Sequence, residues 1–185
     1  MCTLYEKGIS CVTLSKPWGA CGVTIGWLAC PSLEMKEKLT DVQYFGTACP
    51  SRASEIQAIM ILRASNTILE KNMSIIQYNK KLLQDFMEEY QDLFEWTPPT
   101  AAAICFIKFK GPLSSEEFGN LLQSRGISCK PAYCFTDTVI PEIDYFRVGF
   151  GEAKFAKALE ALKVVVEEYQ DEWRNAGNAN LDKES

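Results

Sequence analysis

The sequence predicts an α/β protein in which a two-stranded region leads through a long helix into a small α+β domain. Two runs rich in β-forming residues, 9–15 and 23–29, flank a glycine-bearing turn, a pattern typical of neighbouring strands. Apolar residues recur at helical spacing over 67–94, which indicates one amphipathic helix. Short strand and helix patterns then alternate, and they predict helices on one face of a mostly antiparallel sheet.

Capping residues and helix breakers delimit the other elements. Ser32 and Ser51 are placed to cap helices that end near residues 44 and 64, because a serine oxygen accepts a free backbone N–H of the first helical turn. The later patterns predict a strand at 100–109, a helix capped by Ser114 or Ser115 and stopped by Gly126, short strands at 127–130 and 145–150, and a helix at 153–173.

Four segments follow from this order of elements. Residues 1–66 carry the first strands, 67–94 form a linking helix, 95–174 form the small domain, and 175–185 form a polar tail. A helix as long as the linking one often bridges two subdomains. The polar tail is predicted to be disordered.

Composition narrows the classes of function. The chain has 185 residues, 47% of them apolar, and a net charge of −5 without a basic cluster, so nucleic acid is not an expected partner. No apolar run is long enough to span a bilayer, and no secretory signal is recognisable. There is no histidine and no CxxC pair, which leaves no recognisable zinc motif and excludes every Ser–His or Cys–His mechanism.

The cysteines indicate a reducing compartment. Cys11, Cys21, Cys30 and Cys105 lie inside apolar runs, where a thiol behaves as a small apolar side chain. We therefore predict free thiols and an intracellular, cytoplasmic location, because disulfides are rare in that compartment.

Lys16 is an unusual charge at the end of the first β-rich run, directly before the glycine-bearing turn. An amine at the end of a buried strand is placed to form a Schiff base with a carbonyl compound, for which pyridoxal phosphate is the usual partner. The spacing alone also allows a lysine that caps a strand and reaches solvent, which is the commoner case.

The stretch around Lys16 resembles the cofactor-lysine signature of the fold-type-I pyridoxal-phosphate enzymes, in particular the class I and II aminotransferases. That signature places Ser, Thr or Ala before the lysine, a glycine three residues after it, and an arginine and two glycines further on. The matching residues are Thr13, Leu14, Ser15, Lys16, Gly19, Ala20, Gly22, Ile25 and Gly26. Thr24 stands where the family has the arginine that reaches the cofactor phosphate.

The resemblance covers about residues 4–173 and implies a fold, a cofactor and an activity. The fold is the C-terminal part of the large transferase domain followed by a small α+β C-terminal domain. Lys16 would be the catalytic lysine that carries pyridoxal 5′-phosphate, and Thr13, Ser15 and Thr24 would contact the cofactor with it. The activity would be amino-group transfer from an amino acid to a 2-oxo acid.

Arg147 lies in the middle of the apolar run 145–150. A guanidinium there needs a carboxylate, either from a ligand or from a neighbouring Asp144 or Glu152 in a structural salt bridge. The residues leave both possibilities open. The resemblance assigns Arg147 to the substrate α-carboxylate, because the family carries its carboxylate-binding arginine in the strand before the last helix.

Only fifteen residues precede Lys16, whereas the family places the acidic partner of the pyridine nitrogen and the stacking aromatic upstream. We therefore expect a truncated and poorly active chain that dimerises with its like or pairs with a missing N-terminal half. Two alternatives remain: a non-catalytic aminotransferase-like fragment that binds or regulates a partner, and a pyridoxal-phosphate lyase of the same fold.

Overall fold

A computed structural model describes residues 2–181, with the side chains of residues 2–176. The chain divides into two compact units. The first ends at Met73 and the second begins at Ser74, so the division falls inside a single helix, α3 (Ser65–Glu89). The domain limits expected from the sequence stay a prediction.

The first unit begins with an antiparallel two-stranded ribbon formed by β1 (Ser10–Thr13) and β2 (Gly26–Ala29), in which Thr13 pairs with Gly26. Helices α1 (Leu33–Gly46) and α2 (Arg52–Arg63) follow. Ser32 caps α1 as predicted, because its Oγ accepts the backbone N–H of Met35 at 3.2 Å. Ser51 occupies the N-cap position of α2, but its side chain makes no capping bond.

The first unit has a small core. Leu14, Val23 and Ala58 are buried together, so the core joins the turn after β1, the short 3₁₀ turn Cys21–Val23 and helix α2. Helix α1 contributes no buried residue.

The second unit contains the predicted antiparallel sheet, with strands β3 (Phe94–Trp96), β4 (Ile104–Phe109) and β5 (Tyr145–Gly149) in that spatial order. Helices α4 (Ser115–Ser124) and α5 (Phe155–Leu181) and the later part of α3 pack on one face of this sheet. Since strand side chains alternate between faces, Cys105, Ile107 and Phe109 enter the core while Ile104 and Phe106 are exposed. This arrangement confirms the predicted fold class.

The structure corrects several element boundaries. Helix α3 ends at Glu89 and not near residue 94, and Phe94 instead opens a strand that pairs with Phe109. The spacing of Phe86, Tyr90 and Phe94 fits a helix, but the aromatic core that buries all three also accepts Phe94 from a strand. Residues 127–130 form no strand beyond one bridge between Lys130 and Arg147.

Other strand predictions were also too long, and one helix prediction was too short. β1 covers Ser10–Thr13 and not all of residues 9–15. β2 lacks residues 23–25, because Cys21–Val23 forms a 3₁₀ turn and Thr24 takes a left-handed conformation. β4 begins at Ile104 and not at residue 100. The last helix continues to Leu181, into the segment predicted to be a disordered tail, and residues 182–185 lie outside the described part of the chain.

The eight cysteines are all free. Cys105 is buried as predicted, but Cys11 and Cys21 are exposed and Cys30 is half-buried. The prediction that these thiols pack in apolar surroundings is therefore wrong for the first unit, because its core is small. Within residues 2–181, no helix is long and apolar enough to cross a membrane.

Candidate functional site

Lys16 lies in the turn that follows β1, and its side chain is exposed. The sequence predicted an amine at the end of a buried strand, but β1 belongs to a half-exposed ribbon. Among the described residues the Lys16 amine has no hydrogen-bond or ion-pair partner, whereas its carbonyl oxygen accepts the N–H of Gly19 at 3.1 Å. The backbone of the turn is therefore fixed while the amine stays free to react.

Buried residues and glycines set the path of this turn. Leu14, two residues before Lys16, is fully buried and donates its N–H to the Ile25 oxygen at 3.1 Å. Gly19 has φ +66°, a conformation that side chains with a Cβ rarely adopt. A Cβ on Gly26 would lie 2.5 Å from the Val12 oxygen, so only glycine permits this approach of β1 and β2.

Helix α3 anchors the turn through two hydrogen bonds. The Trp18 Nε1–H donates to Ser65 Oγ at 2.7 Å, and the Asn72 Nδ2–H donates to the Pro17 oxygen at 2.9 Å. The sequence reasoning missed these two anchors. Trp18 and Ser65 are 47 positions apart, and Pro17 and Asn72 are 55 positions apart, so no local spacing pattern links them. They hold the residues directly after Lys16.

The hydroxyl side chains predicted to contact a cofactor lie around the same turn. Thr13 and Thr24 are exposed and Ser15 is half-buried. Thr24 has φ 56°, a left-handed conformation, and its Oγ1 reaches the Gly22 oxygen at 3.5 Å, which is a long contact. Because Thr13 pairs with Gly26 and Leu14 with Ile25, the structure brings Thr13, Ser15, Lys16 and Thr24 to one end of the ribbon.

Arg147 is half-buried in β5, in the second unit. No carboxylate of the described residues forms an ion pair with it, so the structural salt bridge with Asp144 or Glu152 is absent there. Its Cζ lies 5.2 Å from the centre of the Phe135 ring, a cation–π distance. The guanidinium keeps its donors available for an acid from outside the described chain.

The segment from Lys130 to Phe135 runs beside Arg147. The Arg147 N–H donates to the Lys130 oxygen at 2.7 Å, and Pro131 and Ala132 are buried. Ala132 N–H donates to Ser115 Oγ at 3.0 Å. Tyr133 and Phe135 are exposed, so neither aromatic side chain belongs to the core.

Asp144 positions this segment through Ser115, a role that the sequence reasoning missed. Its Oδ2 accepts the backbone N–H of Ser115 at 2.8 Å, at the start of α4, and its buried Oδ1 has no hydrogen-bond partner among the described residues. Ser115 in turn bonds Ala132. Only its position close to Arg147 in sequence could have drawn attention to Asp144.

The thiol of Cys129, directly before this segment, is not a nucleophile. Burial raises the pKa of Cys129 to about 11, so the thiol is protonated at neutral pH, whereas nucleophilic cysteines are thiolates. In the core, burial raises the pKa of Cys105 to about 12 in the same way. Lys16 in the first unit and Arg147 in the second each keep a cationic group that forms no ion pair with the described residues.

Comparisons with known proteins point to one family. The family model described as aminotransferase class I and II matches residues 4–162. A solved structure of a PLP-dependent aminotransferase from Streptococcus suis is 28% identical with a TM-score of 0.78, and the match covers 90% of this chain and 43% of that one. No protein with a curated description matches.

Two more distant structures share the fold. An aromatic aminotransferase from Pyrococcus horikoshii is 22% identical, with a TM-score of 0.72 over 89% of this chain and 44% of that one. Cystalysin from Treponema denticola, which contains a pyridoxal 5′-phosphate cofactor, is 15% identical, with a TM-score of 0.75 over 90% and 43% of the two chains. This chain thus spans less than half of the length of these relatives.

Proposed function

Because this chain belongs to the class I and II aminotransferases, a family whose cofactor is pyridoxal phosphate, we propose that it carries the cofactor lysine and the substrate-binding arginine of an enzyme that moves an amino group between an amino acid and a 2-oxo acid. The observation that carries the proposal is Lys16, an exposed and unpartnered amine on a turn fixed from both sides. A lysine that only capped a strand would not require such an anchored turn.

The side chains around Lys16 fit the cofactor. Thr13, Ser15 and Thr24 offer hydroxyl groups, which bind phosphate oxygens as donors. A Cβ added to Gly19 or Gly22 would meet no atom within 4 Å, so there is open space beside the turn. We propose that Lys16 forms the Schiff base and that the three hydroxyl side chains contact the phosphate.

The turn also suggests weak retention of the cofactor. Residues 13–26 contain no carboxylate and no guanidinium, and Thr24 cannot supply the charge-assisted pair of hydrogen bonds that an arginine gives a phosphate. We therefore propose that the 185-residue polypeptide binds pyridoxal phosphate less firmly than its relatives and turns over slowly. The measurable consequence of Thr24 is therefore a weaker affinity for pyridoxal phosphate.

The residues of the chain would act by positioning and by proton transfer. When bound, pyridoxal phosphate supplies an electron sink for charge that develops at the substrate Cα. The Lys16 amine, while not covalently engaged, would take the proton from the substrate Cα as a general base and, as a general acid, would give it up at a different carbon, as amino-group transfer requires. Arg147 binds the substrate carboxylate through two parallel N–H donors, which fixes the orientation of the Cα–H bond.

Reductive trapping tests the role of Lys16 without an activity measurement. The chain is incubated with about equimolar pyridoxal phosphate, reduced with borohydride and mapped by peptide mass spectrometry. We expect the mass increase on the peptide that contains Lys16, its loss in Lys16→Ala, and its retention in the control Lys7→Ala, which removes another exposed lysine of the same unit. Equal labelling of Lys7, Lys36 and Lys16 would refute the assignment.

A further inference from the structure

An apolar groove opens on the exposed side of the small sheet in the second unit. It has a volume of about 280 Å³, and its walls are almost entirely apolar. The lining residues are Phe106, Ala132, Phe135, Thr136, Ile143 and Tyr145. We refer to this surface as the apolar groove. Its volume lies at the lower end of the range for small-molecule sites, which suits one amino-acid side chain.

Arg147 lies at the edge of the apolar groove. Phe106 is its direct partner across the β4–β5 ladder, and Tyr145, two residues earlier on β5, points to the same face of the sheet. The Phe135 ring is 5.2 Å from the guanidinium carbon. Three walls of the groove therefore adjoin a cation that has no carboxylate partner among residues 2–176.

The chemistry of the walls selects the ligand. The Thr136 hydroxyl is occupied, because it donates to the Thr138 oxygen at 2.9 Å and accepts the Thr138 N–H. No cationic side chain belongs to the lining, and Lys108 stays outside it with its Nζ 5.8 Å from the centre of the Tyr145 ring. A second carboxylate placed in the groove would lose its water without gaining a partner there, which is costly, whereas an aryl or alkyl group would gain by leaving water.

We infer that the apolar groove receives the side chain of the acid whose carboxylate Arg147 binds, so that the substrates are amino and 2-oxo acids with aromatic or large aliphatic side chains. This inference rests on the proposed role of Arg147 and adds to it the class of substrate. Arg147 provides the common anchor for every substrate, and Phe106, Phe135 and Ile143 discriminate between their side chains.

Binding of simple carboxylates to the full chain tests the inference without cofactor or turnover. The probes are 3-phenylpropanoate, propanoate and glutarate, each titrated while the Arg147 Nε–H cross-peak is followed by NMR. We expect 3-phenylpropanoate to bind at least about tenfold more tightly than propanoate, as is usual when apolar groups enter an apolar pocket, and glutarate to gain nothing over propanoate.

Three variants locate the effect. Phe106→Ala should remove most of the preference for 3-phenylpropanoate. The matched control is Ile104→Ala. Ile104 lies two residues from Phe106 on the same face of the sheet, with an exposed fraction of 46% against 45%, but it does not line the groove, so its removal should leave the preference unchanged. Ile143→Lys, at a half-exposed position that tolerates a charge, should shift the preference toward glutarate.

Failure of the inference and failure of the proposed function give different results. If all three acids bind equally and lose binding in Arg147→Gln, the arginine acts as proposed but the groove does not select, and the inference is overturned. Tightest binding of glutarate by the unmodified chain would overturn it as well. If no acid binds, or if Arg147→Gln binds them all as before, the proposed role of Arg147 is itself refuted.

Discussion

Removing the Asp144 carboxylate by Asp144→Ala should destabilise the second unit and loosen the segment beside Arg147. The carboxylate accepts the Ser115 N–H at 2.8 Å, and Ser115 is buried, so its N–H would be left without an acceptor at a cost of about 1–3 kcal/mol. Loss of a negative charge at the start of α4 adds about 0.5 kcal/mol. Relief of the unpartnered Oδ1 returns roughly 1 kcal/mol, which leaves a net loss of about 1.5 kcal/mol when the lost acceptor is taken at about 2 kcal/mol.

The measurement pairs urea unfolding with amide hydrogen exchange. Unfolding, followed by far-ultraviolet circular dichroism, should show the loss in free energy for Asp144→Ala, with Asp137→Ala as the control, an exposed aspartate from the same loop. Exchange should also accelerate at the Ala132 amide, because that N–H is bonded to Ser115 Oγ. Because the Ala132 N–H donates to Ser115 and the Ser115 N–H donates to Asp144, both effects should appear together.

A stability for Asp144→Ala within about 0.5 kcal/mol of the control, a size usual for surface substitutions, would refute the reasoning. Unchanged exchange at Ala132 combined with the full loss of stability would show that Asp144 supports α4 alone and does not position the segment that contains Phe135.

Two other predictions concern each unit separately. In the first unit, Gly26→Ala should unfold the ribbon, because the added Cβ would lie 2.5 Å from the Val12 oxygen. The expected loss in the free energy of unfolding is more than about 2 kcal/mol. Gly22→Ala, whose Cβ meets no atom within 4 Å, should leave the hydrogen exchange of the ribbon amides unchanged. In the second, a hydrogen bond from Arg174 lowers the pKa of Asp92 from its ordinary value near 3.8. The carboxylate therefore stabilises the fold above about pH 4 and loses this effect below it, so the stability difference between the native chain and Asp92→Asn should be constant above about pH 5 and shrink in acid. A difference that grows in acid would contradict this sign.

The parts of the site that depend on adjacent residues could be predicted from the sequence. Lys16, its flanking hydroxyl residues and the glycines of the turn lie within fourteen consecutive positions, from Thr13 to Gly26, and the backbone there obeys local rules such as the positive φ at Gly19. The exposure of Lys16 could not be predicted, because it depends on how much of the ribbon the rest of the first unit covers. Leu14 is buried, yet Lys16, two residues later, is exposed.

Two of the errors in the fold share one physical cause, namely that tertiary partners decided between two local structures. Phe94 continues a helical pattern, but pairing with Phe109 and packing against Phe118 place it in a strand. Residues 127–130 have the composition of a strand, but only Lys130 finds a partner, at the edge provided by Arg147. Periodicity reports which residues are buried and is silent about which neighbours bury them.

The apolar groove shows why specificity is harder to predict than chemistry. Its walls come from three separate stretches of chain, around Phe106, Phe135 and Ile143, and none of them forms a motif by itself. The β4–β5 register places Phe106 opposite Arg147. The segment that carries Phe135 is held by the Ala132 N–H, which donates to Ser115, and by the Ser115 N–H, which donates to Asp144. A change of one residue in that register would turn Phe106 into the core and leave Arg147 without an apolar neighbour on its strand partner. The chemistry proposed for this chain therefore requires two cationic residues, whereas the choice of substrate depends on a strand register and on the Asp144 carboxylate, which bonds to Ser115 and lies outside the lining of the groove.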